Sequence, residues 1–431
     1  MPLRNARMLA ALVPALMAGV GAAQPAEDRG VLRRVLDDEL TVQRVLVHEV
    51  GPQGVTVSDG GVRRRLPTGR TLAILPPEAR DWPGEPDFPP PSGDPTPLAV
   101  IDLVDGQRLL ARLDPAGGTG DPEALPIRTA ALGALALPLE RIAAVTLLPP
   151  EAEPLSLPEP PSEAPADDVL VLTNGDRLSG FVAAFGPDGV TIEADGGEVE
   201  VPIERVGAVR LANPREPAPP GRAWMRGGSI IGFDGLGGNG ITLVVNPTGL
   251  SRPGETTDTP RVRLPVDEVE ALALPASDGV RIVPLAALEV ISSRATGDRR
   301  WAPPPEIPNA AAAPLGAAPV TLPSPMSVLF TLPAGATRFA ADAGLAGFPG
   351  DHPGPWADCE LVVELGETPS GPREPLFRRR LTAADPAARI SVDIAPSDRP
   401  RVLVVRTEPG EHGPIQDRVR LRDAFVLVEE R

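Results

Sequence analysis

The chain has 431 residues, a formal net charge of −17, three histidines and one cysteine. A polyanion of this kind repels phosphate backbones and anionic lipid surfaces, so we expect no nucleic-acid partner. All 41 basic residues are arginine and there is no tyrosine, which excludes chemistry that needs a Schiff-base lysine, a phosphate-loop lysine or a tyrosine acid.

The amino terminus has the composition of a secretory signal peptide. Arg4 and Arg7 precede a short apolar run, and small residues follow at Gly21, Ala22 and Ala23. We therefore predict a signal peptide over 1–23 and an exported protein, periplasmic, cell-surface or extracellular. Because no later stretch reaches the roughly 20 apolar residues of a membrane helix, we expect no membrane span.

A short sequence recurs in the first 300 residues: a glycine followed by apolar and β-branched residues. It begins at Gly54, Gly189 and Gly240, and a proline follows thirteen residues later in the first two copies, at Pro67 and Pro202. A second phrase, a proline between apolar residues, then a charged pair and Ile or Val, recurs at 137–142, 201–206 and 264–269. A repeat of this kind predicts copies of one supersecondary unit.

Each copy has the composition of short β-strands. Apolar alternation is interrupted by turn signals such as Asn174-Gly175, which are typical of hairpins. Five short, bent strands predict a small barrel whose closure removes exposed edges. The predicted units are module 1 (30–76), module 2 (97–149), module 3 (167–212) and module 4 with an extra hairpin (221–295), with a Pro/Ala-rich linker at 302–325.

The first hairpin of module 3, residues 171–182, resembles the first hairpin of Sm-like small β-barrels, with an apolar strand, a glycine turn and a small residue-Gly-apolar return. Members of that family form rings and bind RNA. Their N-terminal helix and RNA-contacting basic residues are absent from this sequence, so the resemblance implies the barrel shape alone.

The last region, 326–431, resembles the novel putative carbohydrate-binding module (NPCBM) family in its opening segment 329–339 and in the order of its later apolar strands. The resemblance implies a galactose-binding-like β-sandwich (jelly roll). Two positions depart from the family pattern. Leu421 stands where members usually carry an aromatic residue, and Ala346 stands where an acidic residue often follows the Gly-Leu pair.

The predicted class is therefore all-β: tandem barrel-like modules followed by a β-sandwich. Sugar recognition usually combines an exposed aromatic face with polar groups. Within 326–431 only the Gly/Pro loop with His352, Trp356 and Asp358 offers both, so these three are the predicted ligand-binding residues. The alternative is that Trp356 only anchors the loop.

Catalytic and metal motifs are missing. No H-x-x-x-H or H-E-x-x-H spacing and no Gly-x-Ser-x-Gly elbow occurs, and the single Cys359 lies in an apolar strand. We expect no metal, no cofactor and no enzymatic activity. The sequence favours an exported protein that binds glycan or cell-surface polysaccharide through its sandwich. The alternative is a structural or assembly protein whose modules contact protein partners or copies of itself.

Overall fold

The fold is taken from a computed structural model. It describes residues 30–77, 97–114, 123–148, 164–194, 196–239, 242–247, 250, 262–265, 267–275, 279–296, 303–308, 313–347, 354–414 and 416–429. The predicted signal peptide and His352 lie outside these ranges. Over the described residues the chain forms β-strands and short 3-10 turns, with no α-helix, so the predicted all-β class is confirmed.

Each of the four modules contains five strands. Module 1 contains β1 (Val31–Asp37), β2 (Val42–Gly51), β3 (Gly54–Asp59), β4 (Val62–Leu66) and β5 (Thr71–Leu75). Module 2 contains β6 (Leu98–Leu103), β7 (Arg108–Leu113), β8 (Ala124–Thr129), β9 (Gly133–Pro138) and β10 (Ile142–Leu148). Module 3 contains β11 (Asp168–Leu172), β12 (Arg177–Phe185), β13 (Gly189–Ala194), β14 (Gly197–Pro202) and β15 (Val206–Arg210). Module 4 contains β16 (Gly221–Met225), β17 (Ile230–Asn239), β18 (Thr242–Pro247), β19 (Val262–Pro265) and β20 (Val269–Ala273).

All four modules share one antiparallel topology. The first four strands form a meander, and the fifth strand returns to pair with the first. Module 2 repeats this pattern with β10 beside β6, module 3 with β15 beside β11, and module 4 with β20 beside β16. The repeated sequence phrases therefore correspond to one repeated order of strands, fourth-third-second-first-fifth.

The recurring glycine has a steric reason. In modules 1 and 3 it opens the third strand, where it lies against the last residues of the fourth strand, whereas Gly240 lies outside the described residues. A Cβ on Gly54 would lie 2.2 Å from the Leu66 carbonyl oxygen, and one on Gly189 would lie 2.6 Å from that of Val201. Both distances are too short for any side chain, so the close approach of the two strands requires glycine.

The recurring proline ends the fourth strand and begins a 3-10 turn. The turns occupy Thr68–Arg70, Leu139–Arg141 and Ile203–Arg205 in modules 1 to 3. Proline is suited to this place because it cannot donate to a strand ladder and its φ is preset. The residue directly after each turn is buried and begins the fifth strand: Thr71, Ile142 and Val206.

Fifth strands also join modules to each other. β10 of module 2 pairs with β15 of module 3, and β5 of module 1 pairs with β20 of module 4. A bridge between Ile230 of β17 and Arg108 of β7 links modules 2 and 4. One hydrophobic core contains residues of all four modules, including Val35, Ile101 and Val190. The modules therefore share a continuous core.

The sandwich begins earlier than the sequence predicted. β21 (Val280–Pro284) and β22 (Val290–Ala295) lie within the range assigned to module 4, yet they pair with sandwich strands. A 3-10 turn, Leu285–Ala287, connects them and carries the two strands into different sheets. Their sequence is a shortened copy of the module ending, so sequence similarity placed them with the modules while pairing places them with the sandwich.

The predicted linker also contributes to the packed structure. β23 (Val320–Pro323) pairs with a sandwich strand, and the 3-10 turn Pro314–Gly316 is packed against modules 1 and 4. Leu315 in this turn belongs to a cluster with Leu72 and Phe425. Apolar residues between the prolines explain why this part of 302–325 is buried and not an extended spacer.

The remaining strands complete the sandwich. They are β24 (Met326–Leu332), β25 (Ala336–Leu345), β26 (Asp358–Gly366), β27 (Arg373–Thr382), β28 (Ala387–Asp393), β29 (Arg401–Pro409) and β30 (Arg418–Glu429). One sheet has the order β21-β30-β25-β28, with β23 also on β30, and the other has the order β22-β24-β29-β26-β27. Side chains such as Phe330 and Phe339 fill the space between the sheets.

Across the described ranges, no helical segment combines the length and hydropathy that a membrane crossing requires.

Candidate ligand-binding site

Two loops meet at one end of the sandwich, beside the start of β26 and the end of β29. The first loop, 354–357, holds Trp356, whose side chain is 55% exposed. The second loop, 410–417, connects β29 to β30 and places His412 against the indole. The ring centroids are 5.3 Å apart and the planes cross at 61°, an edge-to-face contact. The predicted aromatic residue is therefore on the surface.

The two loops are in close contact. The Trp356 backbone N–H donates to the Gln416 Oε1 atom at 3.4 Å. A Cβ on Gly354 would lie 1.8 Å from that same oxygen, and one on Gly410 would lie 2.2 Å from the Cγ atom of Asp358. Glycine at both positions lets the loops approach, which fixes the backbone that carries Trp356.

Asp358 lies beneath this surface and is only 4% exposed. Its carboxylate accepts two hydrogen bonds from Arg380, at 2.7 and 2.6 Å, and one at 3.0 Å from the Glu411 backbone N–H. The Arg380 hydrogen bonds are the main reason that the pKa of Asp358 falls to about 2. Asp358 therefore holds the two loops and β27 together as a permanent anion.

Arg380 extends from Asp358 toward solvent. Its guanidinium also donates to Glu411 at 2.9 Å, and its pKa is raised by the hydrogen bonds to Asp358 and Glu411. The Glu411 side chain is exposed, and His412 is half exposed beside it. The ring that contacts the indole, His412, therefore belongs to a group of donors and acceptors with Glu411, Arg380 and Asp358.

Asp417 belongs to the same hydrogen-bond network and is buried. Its Oδ1 atom accepts the Asp358 backbone N–H at 2.7 Å, while its Oδ2 atom is buried without a hydrogen-bond partner among the described residues. Burial is the largest of the effects that raise the pKa of Asp417 to about 6. A buried carboxylate with one unsatisfied oxygen is a cost to the fold at neutral pH.

Sequence reasoning found part of this end of the sandwich. Trp356 and Asp358 were predicted together and do lie together, although Asp358 lies below the surface. His352 falls outside the described residues. Glu411, His412 and Gln416 were missed. They lie about 55 to 60 residues further along the chain, and the turn-like composition around Gly410 and Gly413 was the one local signal for them.

The described residues around Trp356 offer neither a metal site nor a reactive thiol. Within the described parts of the chain, no three His, Cys, Asp or Glu side chains come together in a way that could hold a metal ion. Cys359, next to Asp358, is fully buried, and desolvation raises the pKa of its thiol to about 12. A thiol in that state is a poor nucleophile.

No protein-family model matches the sequence, and no curated protein matches it. Similar solved structures include several CBM51 carbohydrate-binding modules. One is the CBM51-2 domain of Clostridium perfringens ZmpB with GlcNAc and INT domains, at 12% identity and a TM-score of 0.27, covering 45% of this chain. The chain spans 38% of the length of that structure.

Two further structures are similar. CBM51 from Clostridium perfringens GH95 in complex with methyl-galactose is 15% identical, with a TM-score of 0.23, over 34% of this chain and 99% of the module. The tandem CBM51 modules of Sp3GH98 from Streptococcus pneumoniae SP3-BS71 are 10% identical, with a TM-score of 0.26, over 92% of this chain and 88% of that chain.

Proposed function

We propose that the protein binds glycans at the end of the sandwich that presents Trp356. The supporting observation is the exposed indole, held edge-on against His412 by loops that are themselves fixed. The apolar faces of sugar rings pack on exposed aromatic rings, and this contact removes water from both surfaces.

Polar groups for sugar hydroxyls adjoin His412, which contacts the indole. Glu411 supplies carboxylate acceptors, Arg380 supplies guanidinium donors, and His412 supplies a ring nitrogen. Directional hydrogen bonds of this kind orient a sugar after the aromatic ring has captured it.

The site is organised before a ligand arrives. The Asp358–Arg380 pair joins the loops to β27, and glycines at 354 and 410 allow tight contact between the loops. A fixed platform loses little conformational entropy on binding, which favours affinity from a small contact area.

We propose a binding role without catalysis. Two of the three acidic groups described at this end are buried and hold the loops: Asp358 bonds Arg380, and Asp417 bonds the Asp358 backbone, which leaves Glu411 as the exposed one. A pair of carboxylates serving as acid and base would both need access to substrate. The export predicted from residues 1–23 fits a glycan partner at the cell surface, and cleavage after Ala23, read by mass spectrometry of the secreted product, tests it.

The test is binding of the full chain to immobilised glycans, with titration of methyl-galactose and N-acetylglucosamine, the sugars in two of the similar structures. Trp356→Ala should weaken binding by about tenfold or more, as expected for loss of an aromatic platform. Phe181→Ala is the matched control, because Phe181 is also exposed, at 62%, but lies on β12 of module 3. No binding to any glycan, or equal binding by Trp356→Ala, would overturn the proposal.

A second candidate function is assembly through the modules. Val62 of module 1 and Phe181 of module 3 are large apolar side chains that are 71% and 62% exposed. Exposed apolar side chains on strands favour contacts with another protein or a second copy. Light scattering of the full chain tests self-association: a concentration-dependent mass that Phe181→Ser abolishes supports it, and a monomer at all concentrations with no crosslinked partner contradicts it.

A further inference from the structure

A cavity of about 590 Å³ lies where modules 1, 2 and 4 meet the sandwich. Its walls come from β5, the β6–β7 hairpin, β16, β20, β21 and the turn Pro314–Gly316, together with the segment 215–220 that connects modules 3 and 4. Cavities of this size hold small organic molecules.

The lining is positively charged although the protein is acidic. Among the described residues, four arginines and one acid line the cavity: Arg108, Arg215, Arg222, Arg281 and Asp102. Asp102 is paired with Arg108, which donates to both of its oxygens at 2.7 and 3.1 Å. Cationic walls in a chain with a net charge of −17 indicate selection for an anion at this place.

Arg222 is the central group of this lining. It lies on β16, and its Nη2 atom reaches over the β6–β7 turn, 3.3 Å from where a Cβ on Gly106 would be. Burial is the largest influence on its pKa, which is lowered, and Asp105 opposes that effect from a distance. Asp105 is itself bonded to Arg141 at 2.8 Å.

No acidic side chain of the described residues forms a salt bridge with Arg222. Arg222 is partly buried, and a partly buried guanidinium without a counter-ion is stabilised when an anion compensates its charge. Its planar donors match a carboxylate or sulfonate in two-point geometry.

The other walls are apolar. Leu72, Trp224, Ile282 and Leu315 come from four different parts of the chain and face the same space. An inorganic anion would leave these surfaces wet, whereas an organic anion with an apolar body would cover them and reach Arg222 with its charged end.

We propose that this cavity binds a small organic anion, a carboxylate or sulfonate on an aromatic or aliphatic body, through Arg222. This site is separate from the Trp356 end of the sandwich and does not depend on glycan binding there. It lies between the modules and the sandwich, so a ligand here contacts residues of modules 1, 2 and 4 and of the sandwich.

The probes for the test are 2-naphthoate and 2-naphthamide, which share a shape and differ in charge. Calorimetric titration of the full chain should give 2-naphthoate at least about tenfold tighter binding than the amide, as expected for a charge-assisted contact. Arg222→Met should remove this preference and leave amide binding within about twofold. Arg177→Met, an exposed arginine on β12, should keep the preference.

A second variant tests the charge dependence of binding without removing Arg222. Ala287 lines the cavity and is exposed, so Ala287→Glu should repel 2-naphthoate and spare the amide, whereas Ala384→Glu in an exposed sandwich turn should change neither. Equal binding of the two probes by the wild-type chain, no binding of either, or an unchanged preference in both Arg222→Met and Ala287→Glu would overturn the proposal.

Discussion

The pKa values of two carboxylates at the same end of the sandwich are shifted in opposite directions. Arg380 lowers the pKa of Asp358 to about 2, while burial raises the pKa of Asp417 to about 6. The difference arises because Asp358 has a bidentate guanidinium, whereas Asp417 is buried with backbone N–H donors and no cationic side chain of the described residues bonded to it. Each residue therefore has a different effect on stability as the pH changes.

Asp417→Asn should flatten the pH dependence of stability between pH 4 and 6. In this window the folded chain retains the Asp417 proton that the unfolded chain has released, so stability falls as the pH rises. The variant should gain stability relative to wild type across the window, by about 1–3 kcal/mol at pH 7. Thermal melting at pH 4 to 7.5 measures it.

The control for that experiment is Asp393→Asn, because Asp393 is an exposed partner of Arg338. Its melting curves show the effect of an Asp-to-Asn change at an exposed site of the same sandwich. A constant difference between Asp417→Asn and wild type over the same range would show that the Asp417 carboxyl titrates like a solvated acid.

The sequence predicted the aromatic residue of the site but not its surroundings. Trp356 could be found because a Gly/Pro loop and an aromatic residue are local signals. The proximity of Asp358 to Arg380 depends on the register of β26 and β27, and that of His412 to Trp356 on the connection after β29. Neither contact follows from the sequence of a short segment. The position of the 410–417 loop beside Trp356 therefore could not be predicted.

At the scale of elements, the repeated glycine is a steric requirement and not only a turn signal. Gly189→Ala would push a methyl group into the Val201 carbonyl, 2.6 Å away. We expect it to destabilise the β13–β14 hairpin by about 1–3 kcal/mol. Hydrogen exchange of peptides covering 189–202 reports this hairpin directly.

Gly186→Ala provides the matched control three residues earlier. No heavy atom lies within 4 Å of a Cβ at that position, so protection should stay the same or rise by under about 1 kcal/mol. If both variants exchange like wild type, the recurring glycine is not required by the approach of the two strands.

The division of a module into short strands joined by turns followed from its sequence, since apolar alternation and turn residues are local, whereas the pairing of the fifth strand with the first did not. Strand pairing between modules did not follow. β21 and β22 carry the module ending but join different sandwich sheets, because partners for their exposed edges are found on β30 and β24. The resemblances to Sm-like barrels and to the NPCBM family remain predictions for the modules and for the sandwich.

At the scale of the molecule, the modules and the sandwich share a buried boundary. Leu36 and Leu72 of module 1 and Ala271 of module 4 pack with Phe425 of β30. Arg34 of β1 forms an ion pair with Asp423, and Arg389 donates to the Leu40 carbonyl. These contacts hold the sandwich in one orientation relative to modules 1 and 4.

The part of the chain before the sandwich contains four copies of one five-stranded module, joined in two pairs through their fifth strands. Thr146 of β10 lies directly opposite Ala208 of β15, and Ala73 of β5 lies opposite Ala273 of β20. Cysteines at directly opposed positions are close enough to form a disulfide, whereas a two-residue offset exceeds the permitted distance.

The most direct test is therefore disulfide formation in a Cys359→Ala background, read by non-reducing electrophoresis and peptide mass spectrometry. Thr146→Cys with Ala208→Cys, and Ala73→Cys with Ala273→Cys, should each oxidise to one intramolecular crosslink, while Thr146→Cys with Arg210→Cys should stay reduced. Crosslinking of the offset pair, or of neither opposed pair, would contradict the joining of the modules through their fifth strands.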